Sequence, residues 1–232
     1  MFRLVLALVT AAAQLDPPAA DPEGEIEGEA TAADTASATS STSKARRKPA
    51  GYAVPDEKLR PKKPPRPSGN IHLVHAFRGE SLKINIYNPD GSYDVESLRA
   101  LSRLLRCTKT DTQKDMEPRL LTVLSHVYDH FGGRPIEVTS GYRNQQKTTS
   151  FHYRASATDI FIAGVKPTQL RAFVETLDTG GMGIGLYPRS GFVHVDVRPP
   201  PSYRWIDLSP VDPDDPGRRP PRGFKKRPRL QT

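Results

Sequence analysis

The apolar and polar positions fall into regular patterns only between Asn70 and Asp207. "IHLVHAF" (71–77) and "SLKINIY" (81–87) alternate and are rich in β-branched and aromatic residues, the signature of two strands joined by a short turn. The period then changes. Val95, Leu98, Leu101, Leu104 and Leu105 recur at helical spacing behind Asp94, a side chain suited to cap a helix N-terminus. Leu120, Val123, Leu124 and Val127 repeat this before Gly132 and Gly133, which suit a helix C-terminus. "PIEVTSGYR" (135–143), "ATDIFIAG" (157–164) and "GFVHVDV" (191–197) predict three more strands, and "TQLRAFVETL" (168–177) a third helix closed by "DTGGMGIG". The order predicts an α+β domain, with helices packed on a mostly antiparallel sheet, over residues 70–207, a length that can bury a single core.

The flanks have another character. The chain has 232 residues and 23 prolines, and the prolines crowd into Asp16–Ser68 and Pro199–Arg229. Such stretches bury too little apolar surface to offset the entropy of ordering, so residues 14–69 are expected to be a disordered linker and 208–232 a disordered basic tail. Residues 1–13 combine Arg3, an apolar run from Leu4 and an Ala-x-Ala pattern at Ala11–Ala13, the layout of an export signal. The formal charge of +8 resides largely in "KARRKPA", "RPKKPPRP" and "RRPPRGFKKRPRL". Such tails contact nucleic acid, anionic lipid membranes or other polyanions, and the charge alone names no partner. Nucleic acid is not expected as a partner, because the domain lacks the interleaved aromatic and basic residues of a base-stacking platform. The single cysteine, Cys107, excludes an internal disulfide and a cysteine-based zinc site, and burial is its expected state.

Candidate chemistry centres on "SFHYRASATDIF" (150–161), which holds His152 and Asp159. The pair can be incidental, a general acid/base couple, or two ligands of a metal whose third ligand lies elsewhere. His194 lies on the later strand "GFVHVDV", and two strands of one sheet can bring Asp159 and His194 to one centre with His152 folded over them. Two imidazoles and a carboxylate suit zinc and leave a position for water. His72 and His75 point to opposite faces of their strand. His126 and His130 are four apart on a helix but lack the adjacent glutamate of a zincin motif, and read as exposed helix surface. "GGMGIG" follows a helix, with the wrong glycine spacing for a dinucleotide fingerprint.

"SGYR" (140–143), "SFHYRASATDI" (150–160), "GGMGIGLYPRSGFVHVDV" (180–197) and "YRW" (203–205) resemble, in order, the motif set of zinc peptidases related to murein endopeptidase K. That group belongs to the superfamily of lysostaphin, the D-Ala-D-Ala peptidases and the hedgehog signalling domain, whose fold the resemblance implies here. It also implies that His152, Asp159 and His194 bind Zn2+. The family pattern Ser-x-His-x-x-Gly-x-Ala-x-Asp is met by Ser150, His152, Ala157 and Asp159, with Ala155 in place of the glycine. Relatives have a longer insert between the first two motifs, and an acidic residue three before the last ligand, where this chain has Gly191.

Arg143 is placed by the resemblance to hold a substrate carboxylate or steady an oxyanion. Asp196 shares the face of His194, two residues on, so it either orients that ligand or serves as general base. Tyr203 and Trp205 read as packing at the domain end. The implied activity is an exported, envelope-located metallopeptidase cutting the peptide cross-links of peptidoglycan. A D-Ala-D-Ala carboxypeptidase and an inactive zinc-containing wall-binding module are the alternatives.

Overall fold

A computed structural model describes residues 50–144 and 147–209. The expected export signal, most of the expected linker and nearly all of the basic tail lie outside these residues. In chain order the elements are β1 (Gly51–Ala53), β2 (Asn70–His75), β3 (Ser81–Asn85), α1 (Val95–Leu104), α2 (Pro118–His130), β4 (Ile136–Ser140), β5 (Ala157–Phe161), α3 (Pro167–Glu175), β6 (Met182–Tyr187), β7 (Phe192–Val197) and β8 (Tyr203–Ile206). The strands form one sheet in the order β1-β8-β6-β7-β5-β4-β2-β3. Neighbours run antiparallel except β2–β4 and β6–β8, which are parallel. The α+β reading therefore holds.

Three strands depart from the sequence expectation. β6 is a strand where the sequence reads as the closure of a helix, because its glycines mask an alternation of Met182, Ile184 and Leu186. β8 was read as end packing. β1 falls in the stretch assigned to the linker: Gly51–Ala53 pairs antiparallel with Trp205–Tyr203, and the Val54 amide donates to the Ser202 carbonyl at 2.9 Å. Prolines flank β1, yet an edge strand needs few ladder donors, which is where proline-rich sequence is tolerated.

The helices cover one face of the sheet. Asp94 caps α1, accepting from the Glu96 amide at 3.1 Å and the Ser97 hydroxyl at 2.6 Å. Leu101 and Leu104 of α1 point inward, while Val95, counted with the apolar stripe, sits in the first turn and is 55% exposed. Leu120, Leu124 and Val127 of α2 and Leu170 and Val174 of α3 pack with Ile136 and Val138, Met182, Ile184 and Leu186, and Val193, Val195 and Val197 in one core, which also contains Cys107. Because strand residues alternate, the opposite face of β5, β6 and β7 carries Asp159, Gly183, Gly185, His194 and Asp196. Core packing on one face thus sets the position of the polar groups on the other.

Candidate metal centre

One rung across the sheet carries the centre. Ser140 of β4 lies opposite Asp159 of β5, Asp159 opposite His194 of β7, His194 opposite Gly185 of β6, and Gly185 opposite Trp205 of β8. A register irregularity between Val138 and Ser140 brings Ser140 to that rung. Ligand atoms of His152, Asp159 and His194 lie within 4.8 Å of one another, and all three residues are buried.

His152 arrives from the loop before β5. Its Nδ1 lies 2.7 Å from the Gly141 carbonyl, which can only accept, so Nδ1 carries the proton and Nε2 faces the centre bare. Gly141 itself runs against Leu105; a β-carbon there would overlap the Leu105 carbonyl. The loop is wound tightly, with the Ser156 amide donating to the Phe151 carbonyl at 2.9 Å and Ala155 at a φ of 57°. Ala155 therefore adopts the left-handed conformation for which the family glycine is suited.

The other two side chains are held as firmly. His194 Nε2 donates to Asp196 Oδ2 at 3.0 Å, and Asp196 is gripped by Nε and Nη2 of Arg198. This leaves His194 Nδ1 facing Asp159 Oδ1 at 2.8 Å and His152 Nε2 at 3.2 Å. His152 Nε2 stands 3.5 Å from Asp159 Oδ1. The second oxygen of Asp159 accepts from Arg143 Nη2 at 2.6 Å, and Arg143 Nε donates to the Ser140 hydroxyl.

The electrostatics follow from these partners. Burial, reinforced by Arg143, keeps His152 below its ordinary pKa and so neutral. Burial would also lower His194, but hydrogen bonds to Asp159 and Asp196 outweigh it and raise its pKa to about 9. Asp159, which burial would raise, is instead held far below the carboxylate range by His152 and Arg143. Asp196 is lowered as well, its burial outweighed by Arg198 and His194.

The donor set fits a zinc ion. Ligand atoms of a tetrahedral zinc stand roughly 3.4 Å apart for bonds of about 2.1 Å. The three contacts here, 2.8, 3.2 and 3.5 Å, bracket that separation. Each imidazole already has its remote nitrogen bonded, as metal-ligating histidines do.

A family model described as peptidoglycan L,D-endopeptidase MepK matches residues 64–203. The chain belongs to this family. Over 142 residues it is 30% identical to the peptidoglycan L,D-endopeptidase MepK of Escherichia coli K12, covering 56% of this chain and 76% of that protein. Over 151 residues it is 30% identical to a probable peptidoglycan L,D-endopeptidase MepK of Haemophilus influenzae, covering 59% and 77% respectively. No solved structure matches the chain.

The remaining sequence candidates lie apart. His75 is fully buried on β2, its Nε2 without a partner among the described residues, and burial, then Arg78, lowers its pKa to about 4. The exposed His130 stacks on Phe173 at 3.7 Å between ring centroids, and His126 is half-buried on the same helix. Gly191 adopts a φ of 82° in the turn between β6 and β7.

Two features of the site were missed in the sequence. Trp205, read as end packing, has its ring centroid 5.0 Å from that of His194 and donates from Nε1 to the Tyr187 hydroxyl at 3.1 Å, so it walls the centre. Gly185 makes this possible, since a β-carbon there would overlap the Trp205 indole. Gly183 likewise leaves room for the Asp196–Arg198 pair. The available signal was glycine at every second position, 181, 183 and 185, between buried apolar residues: a strand with one face cleared.

Proposed function

We propose that this chain is a zinc-dependent endopeptidase that cuts L,D peptide bonds in the cross-links of peptidoglycan, acting in the cell envelope after export. The observation that carries the reading is the convergence of His152 Nε2, Asp159 Oδ1 and His194 Nδ1, each oriented by a separate partner, in a chain of a family named for that activity. The motif order further supports the fold of the hedgehog and D-Ala-D-Ala peptidase superfamily. Among the described residues no helix is long and apolar enough to cross a membrane.

A zinc ion held by the three residues supplies a Lewis acid for the scissile carbonyl and a water of near-neutral pKa. The protein's own contribution is to hold the ligands. Asp196 is fully buried and committed to Arg198 and His194, so it positions His194 rather than shuttling protons. Arg143 anchors Asp159, and its partly exposed guanidinium would offer positive charge to an oxyanion developing at the centre. Trp205 excludes water from one side of the centre.

The test is digestion of purified peptidoglycan by the full chain, with and without a chelator, beside His194→Ala, with products identified by mass and metal content measured. Chelator-sensitive release of products cut at L,D cross-links, restored by added zinc, is expected. Loss of terminal alanine alone would make it a carboxypeptidase. Bound zinc without any product would leave a wall-binding module.

A further inference from the structure

Beyond the metal centre, β7 leads into a second feature. His194 and Asp196 point to the same sheet face, and Arg198, two residues further on, follows Asp196 out to the surface. There it borders a groove of about 290 Å³, to which Arg119, Phe151, Arg154, Ser156 and Glu117 also contribute. Arg198 follows His194 by four residues, and its guanidinium folds back onto Asp196, which itself accepts from His194, so the groove adjoins the centre. The groove also meets the centre through the loop, because Phe151 immediately precedes His152.

The groove is built for an anion. Two guanidinium groups lie over the Phe151 ring, Arg198 at 4.3 Å and Arg154 at 5.5 Å from its centroid. Arg198 is already committed to Asp196. Arg119 and Arg154 are not: one donates from Nη2 to the Gly180 carbonyl at 2.7 Å, the other from Nε to the Thr148 carbonyl at 3.1 Å. Neither forms an ion pair among the described residues, and a guanidinium has five N–H donors, so each keeps donors to offer. With Arg119, Arg154 and Arg198 set against Glu117 and Asp196, the balance of these five groups is positive by one charge.

We propose that this groove is a substrate subsite in which Arg119 and Arg154 bind a free carboxylate of the peptide stem, while Phe151 packs against the stem backbone. The proposal rests on the endopeptidase reading. Bidentate guanidinium–carboxylate pairing supplies both affinity and register, and so selects stems whose carboxylate is free over stems in which it is amidated. Glu117, on the groove wall, adds repulsion against a carboxylate placed out of register.

The test uses the zinc-loaded full chain and two soluble cross-linked muropeptides that differ only in whether the stem carboxylate is free or amidated. For the free form, the Arg119→Gln, Arg154→Gln double variant is expected to raise KM at least tenfold while kcat moves less than twofold and the melting temperature is retained. The wild-type KM for the amidated form should already be high, and the double variant should leave it there. An unchanged KM, or an equal rise on both substrates, would overturn the subsite. If the wild type cleaves neither muropeptide, the endopeptidase reading fails by itself. Calorimetric binding of the free-carboxylate muropeptide in chelator then decides the groove: loss of binding in the double variant supports it, and retained binding overturns it.

Discussion

Ala155 sits fully buried at a φ of 57°, so its methyl group packs in the core while its backbone is strained. The left-handed conformation costs an L-residue about 1–2 kcal/mol. Glycine would remove that penalty, yet it would forfeit a buried methyl worth about 0.8 kcal/mol and about 0.4–1 kcal/mol through a more flexible unfolded chain. The terms nearly cancel, which is why alanine is tolerated in this conformation. Ala155→Gly is expected to stay within about 1 kcal/mol of the wild type, and Ala155→Val to lose at least about 2 kcal/mol, because branching at the β-carbon deepens the clash; chemical denaturation checks both. His194 offers a second test at this scale. In the metal-free protein its pKa is raised to about 9, so its proton stabilises the fold fully below about pH 6.5, the unfolded value, and this contribution disappears as pH rises through 9. Melting temperatures in chelator should therefore show the gap between wild type and His194→Gln narrowing from pH 6.5 to 9.5. A constant gap would mean that His194 is not protonated there. A metal ligated by His194 would have to displace the same proton from Nδ1.

At the scale of elements, β6 decides whether the centre can form. It lies between β7, which carries His194, and β8, which carries Trp205, and its site face is glycine at 183 and 185. A side chain at 185 would drive Trp205 off the histidine. Gly185→Ala is expected to destabilise by about 1–3 kcal/mol, as overpacking does, and to lower activity at least tenfold. Trp205 is the only tryptophan in the chain, so its fluorescence reports the displacement directly. A wild-type emission spectrum and response to zinc in Gly185→Ala would show that the indole does not depend on the cleared strand. The helices and most of the strands were legible because hydrophobic periodicity records burial on one face, and β7 reads as cleanly as any, with Val193, Val195 and Val197 against the helices. β6 was illegible for the same reason in reverse: glycines on its second face replaced the polar half of the alternation with nothing.

At the scale of the whole molecule, the sheet is completed by a strand that lies outside the family match at 64–203. β1 covers the edge of β8, and Val54, 7% exposed, is buried beside it. A chain beginning at residue 64 loses that cover. It should be about 2 kcal/mol less stable than one beginning at residue 50, close to the burial of one valine, and should melt about 4–8 °C lower; equal melting temperatures would show that β1 adds nothing. The sequence by itself determined the helices and the α+β class, since periodicity is a local property, and its motif resemblance marked His152, Asp159 and His194 as candidates. Only the tertiary structure decided that Asp196 is locked beneath Arg198, that Arg143 grips Asp159, that Trp205 walls the centre and that three arginines share one groove. Those relations join residues from different strands and loops, and strand register, which no single segment encodes, brings them together.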